Sequence, residues 1–132
     1  MRKTYILLLV ILIASFTHSC KKSTIALDPE PIFGTWVEEK WTDGVLELEK
    51  ANKLHKDKYG FTLQSDGKII EHKNSGWCGT PPISYADFEG TWHVISDDSL
   101  AIDVDFWGGI QNFHLKILQV SNEKMKVKYY YQ

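Results

Sequence analysis

Leu100, Ile102 and Val104 alternate with Ser99, Ala101, Asp103 and Asp105. This period of two is what a strand with one wet face requires. Asp97-Asp98 separates that arm from Gly90-Thr91-Trp92-His93-Val94-Ile95, so the two arms predict a β-hairpin. The same opening triplet stands earlier as Gly34-Thr35-Trp36, in a strand predicted over residues 33–42. There Asp43-Gly44 forms a tight turn, of the kind that favours positive φ, into a return arm over 45–49. Tyr59, Phe61 and Leu63 share one face of a further arm. Ser65-Asp66-Gly67 turns it, and residues 68–73 come back as a second hairpin. Phe113, Leu115 and Ile117 define a strand over 112–120, and Met125, Val127, Tyr129 and Tyr131 face one way on the last arm.

Two stretches break the pattern. Residues 51–58 contain good helix formers with Leu54 as the one large apolar side chain, and predict a connecting loop with at most one helical turn. Residues 74–89 hold Trp77-Cys78-Gly79-Thr80-Pro81-Pro82, where paired prolines and glycines oppose ladder pairing, followed by a short strand over 83–88. Gly60 inside its strand marks a bulge or bend. The expectation is an all-β fold, a small antiparallel up-and-down β-barrel of about eight strands, whose closure removes exposed edges. The repeated Gly-Thr-Trp, each followed later by Phe61-Thr62-Leu63 or Phe113-His114-Leu115, leaves an internal duplication open beside the ordinary self-similarity of hairpins.

Composition adds an address. Arg2 and Lys3, an apolar run from Tyr5 to Phe16 and the polar exit Thr17-His18-Ser19 read as an export signal over 1–19. Twelve residues are too few for a bilayer core, which takes about 20 in a helix. The rest of the chain carries 13 basic against 17 acidic residues and no arginine, which argues against a nucleic-acid role. Residues 20–31, with Asp28-Pro29-Glu30-Pro31, read as a tether, and 32–132 as the folded domain.

Two resemblances carry these readings further. Ser19-Cys20 after the export signal resembles the lipobox of bacterial lipoproteins, which implies cleavage before Cys20, a lipid on its thiol and a place in the cell envelope at the outer membrane. Gly34-Thr35-Trp36, the Asp66-Gly67 hairpin and Gly90-Thr91-Trp92 resemble the lipocalin-like domains of many such lipoproteins. That likeness implies an eight-stranded barrel with Gly34, Trp36, Gly90 and Trp92 as structural residues, and a small apolar molecule held at its mouth. It also implies a basic residue over the early tryptophan; without arginine, Lys126 or Lys128 is the candidate.

For chemistry, Cys78 has no local activator and reads as a packed loop thiol beside Trp77. His55, His72, His93 and His114 lack the close spacing of a zinc site, and Asp103 and Asp105 read as a solvated face. No catalytic residue, metal or cofactor is expected. Trp77, Tyr85, Phe88, Phe106 and Trp107 fall in or beside the two glycine-rich connections, where they would line a mouth or form a contact patch. The expected activity is non-catalytic binding of a small apolar ligand there. The alternative is a side-chain-filled barrel that meets another envelope protein.

Overall fold

The computed structural model describes residues 30–132. The expected export signal, Cys20 and most of the tether lie outside the described residues. A 3₁₀ turn at Glu30–Ile32 leads into eight strands: β1 Gly34–Thr42, β2 Val45–Ala51, β3 Gly60–Leu63, β4 Lys68–Asn74, β5 Tyr85–Ser96, β6 Ser99–Phe106, β7 Gly109–Val120 and β8 Lys124–Tyr131. They close into one antiparallel barrel, the architecture expected from the alternating pattern.

Neighbour order departs from a strictly sequential meander at one place. β3 pairs with β1 rather than β2, and β2 closes the barrel against β8. The connection from β2 to β3 must therefore cross β1 on the outside. It contains no helix. Its single large apolar side chain explains how it is held: Leu54 packs beside Gly60 and joins Val37 in lining the groove beneath the connection. Val37 points outward, opposite in phase to Trp36, yet is only 4% exposed. The Glu38 amide donates to the Tyr59 carbonyl at 2.9 Å, fixing the far end of the crossing.

Gly60 is not a bulge. It lies where β3 meets β1 so closely that a Cβ would stand 2.6 Å from the Trp36 carbonyl oxygen. The register shifts fall instead between Glu38 and Lys40 in β1, Val94 and Ser96 in β5, and Ile117 and Gln119 in β7. Such irregularities bend strands and help a small sheet close. The long loop is shorter than expected, residues 75–84, because β5 runs unbroken from Tyr85 through Gly90. Asp43 and Gly44 take φ of 52° and 76°, as the two-residue hairpin requires.

Inward side chains fill the barrel. Trp36, Leu46, Phe61, Leu100, Leu115 and Val127 are each at most 1% exposed. At one end the 3₁₀ turn closes the interior. The Trp36 indole donates to the Ile32 carbonyl at 2.8 Å, and Trp92 donates to the Gln64 and Lys68 carbonyls at 3.1 and 3.0 Å. Phe33 packs on Trp92 with ring centroids 5.9 Å apart. The cation over Trp36 is Lys50 of β2, 4.3 Å from the ring centroid and donating to the Phe33 carbonyl. Lys126 pairs instead with Glu47 at 3.3 Å, and neither it nor Lys128 takes that role. The two Gly-Thr-Trp motifs thus seal the same end, but from different strand arrangements: β1 sits between β2 and β3, whereas β5 sits between β4 and β6.

Candidate functional site

Antiparallel alternation sends the β1–β2 turn, the 75–84 loop, the Phe106–Gly109 turn and the end of β8 to the opposite, open end. The two glycine-rich connections are therefore together, although their aromatics divide. Trp77, 81% exposed, and Trp107, 55% exposed, stand on the rim. Phe106 is half-buried, edge-on to Trp107 at 5.5 Å. Phe88 faces inward against the core, its ring beneath the Lys73 ammonium at 5.4 Å. Tyr85 faces outward and stacks on His72, centroids 5.4 Å apart and planes 13° apart. Cys78 is exposed rather than packed. Its carbonyl accepts from the Asn74 side chain at 2.8 Å.

Inside the open end lies a polar cluster absent from the sequence reading. Along β4 the inward phase runs Ile69, Glu71, Lys73, so a carboxylate and an ammonium occupy core positions. The Glu71 carboxylate accepts from Lys73 Nζ at 2.5 Å and from the Tyr59 hydroxyl at 2.5 Å. Because Tyr59 spends its proton on Glu71, the 2.6 Å bond between the two phenols is donated by Tyr129. Lys73 also donates to Gln111 Oε1 at 3.3 Å. Trp41 stacks on Tyr129 at 5.9 Å, and Tyr129 on Tyr131 at 6.3 Å. These groups line a cavity of about 210 Å³ that is half open to solvent. Charge at an inward strand phase was the available signal; Tyr59 and Tyr129 shared the phase of core residues, but nothing local paired them or Gln111 with Glu71 and Lys73.

Burial holds the Tyr59 hydroxyl well above the ordinary tyrosine value of 10.0, and the Glu71 charge adds to it. Burial raises Tyr129 in the same direction, with Glu71 again contributing. A raised folded-state value means the unfolded chain releases its phenolic proton first. The associated stability is complete below pH 10 and declines as pH rises beyond it. Thermal melts taken across that range should show a shallower alkaline decline for Tyr59→Phe than for the parent chain; parallel declines would mean that Tyr59 ionises freely in the folded state.

On the outer face, His72 Nδ1 lies 2.5 Å from Asp87 and Nε2 3.3 Å from the Lys56 carbonyl. His72 thus ties the β2–β3 crossing to the barrel wall. Among the described residues, no three histidine, cysteine or carboxylate side chains gather as a metal set.

Comparisons of the chain with protein-family models, with curated proteins and with solved structures returned no match. The functional reading therefore stands on the geometry of this end of the barrel and on the sequence.

Proposed function

We propose that this is an exported, lipid-anchored, non-catalytic interaction module of the cell envelope, whose filled barrel presents the open-end rim to a protein partner. The observation that carries the reading is the contrast between interior and rim. Buried side chains occupy the barrel where an apolar carrier would keep a lumen, while Trp41, Trp77, Trp107, Ile110 and Tyr131 are all more than half exposed at one end. Rigid aromatics concentrated on one surface supply large contact area at small entropic cost.

The direction of the tether supports a protein rather than a bilayer as partner. The chain enters at the closed end, through Glu30–Ile32. Ten residues from Cys20 reach at most about 36 Å, so a lipid on Cys20 would hold the closed end within that distance of the membrane. A small apolar ligand at the mouth is the second reading, favoured by the cavity between Trp41, Tyr129 and Tyr131.

Crosslinking the lipidated chain in its own envelope tests the proposal. Trp77 and Trp107 are exposed, so Trp77→Ala/Trp107→Ala should change stability by less than about 0.5 kcal/mol per site while abolishing a discrete crosslinked protein species. The same species at undiminished yield from the double variant would reject the rim as the contact surface.

A further inference from the structure

We propose that the open-end cavity is a binding site for a small, uncharged, single-ring molecule carrying one hydrogen-bond acceptor. This rests on the small-ligand reading and narrows its ligand class, and it does not depend on the partner reading.

Size comes first. An apolar cavity of about 150 Å³ holds a benzene, whereas pockets for drug-sized ligands run from about 300 to 1,000 Å³. At about 210 Å³ the site admits one ring and a short substituent. Fatty acids, retinoids and haem are too large to be held within it. The walls suit a flat ring: Trp41 and Tyr129 lie within 26° of parallel, and Tyr129 and Tyr131 within 18°.

Hydrogen-bond accounting then sets the substituent. Lys73 has three N–H groups and spends two, on Glu71 and Gln111. An ammonium only donates, so Gln111 must turn its oxygen toward Lys73. Its NH₂ group then has no partner among the described residues. The phenolic protons of Tyr59 and Tyr129 are already committed. The site therefore has donors to spare, and a ligand carbonyl satisfies them. Charge excludes the two ionic alternatives. Lys73 is neutralised by Glu71, so no net positive charge remains for a carboxylate, and Glu71 also acts on Tyr131, raising its hydroxyl above the ordinary value after burial itself. A ligand cation, in turn, finds no free carboxylate, because both Glu71 oxygens already accept, one from Tyr59 and the other from Lys73.

The test uses the full-length chain in detergent, with protein-free micelles as the partition blank, and four probes: benzamide, toluene, benzoate and benzyltrimethylammonium. Binding is followed by NMR at the indole and side-chain amide signals. Benzamide should bind most tightly of the four and shift Trp41 and the Gln111 amide. Gln111→Leu should weaken benzamide about tenfold, the size of one neutral hydrogen bond, and leave toluene unchanged. Tyr131→Ala, at a 66% exposed position that leaves the core intact, should weaken both, and Trp77→Ala should weaken neither. Equal affinity for toluene and benzamide, tighter binding of either ion, or no saturable shift with any probe would each overturn the proposal. Loss of the crosslinked partner in the rim variant with benzamide binding retained separates this site from the contact surface.

Discussion

Gly90→Ala should cost about 3 kcal/mol or more, at or beyond the upper end of ordinary overpacking, and lower the melting temperature on the order of 15 °C. Gly90 sits mid-strand in β5, paired with Val104 of β6 and Ile69 of β4. A Cβ there would collide with the Asp103 carbonyl oxygen and stand 2.7 Å from Val104 Cα. Both obstacles are backbone, held by ladders on either side, so relief requires β5 and β6 to separate. The same change at Gly76, where an added Cβ meets nothing within 4 Å, should stay within about 0.5 kcal/mol. Denaturant titration of the two variants compares them directly; equal midpoints would show that the β5–β6 approach is looser than described.

Lys73→Met should cost about 3–5 kcal/mol, because it strands the Glu71 carboxylate, 3% exposed, without its cation. The loss comes from leaving one buried charge uncompensated, not from the strength of the pair. Glu71→Leu/Lys73→Met should therefore recover most of it, since a well-packed apolar pair commonly matches a buried ion pair. The residual deficit belongs to Tyr59, whose hydroxyl loses its acceptor. A double variant as unstable as the single one would mean that the pair organises this end of the barrel rather than merely occupying it.

The alternation of Leu100, Ile102 and Val104, and of Met125, Val127 and Tyr129, made the strands legible, because side-chain phase along a strand is a local property. The turns were legible for the same reason: Asp43-Gly44 and Asp66-Gly67 carry their backbone preference in two residues. The site was less so. Trp77 and Trp107 were singled out through the composition of their loops, and both are exposed at the open rim. Tyr85 and Phe88 were grouped with them by proximity in the chain, but opposite phases within β5 send one outward and the other into the core. The Glu71–Lys73 pair was visible only as charge at an inward phase, and its meaning came from Tyr59 and Gln111, which lie 12 and 38 residues away from their partners.

By itself, then, the sequence determined an all-β chain of about eight short antiparallel strands with two Gly-Thr-Trp openings. Tertiary structure alone decided that β3 crosses to the far edge of β1, that Lys50 covers Trp36, and that a polar pocket opens between Glu71, Lys73 and Tyr129 at the rim of a filled barrel. The reason is that strand order, cross-barrel contacts and cavity volume depend on which distant residues meet, and local periodicity carries no record of that.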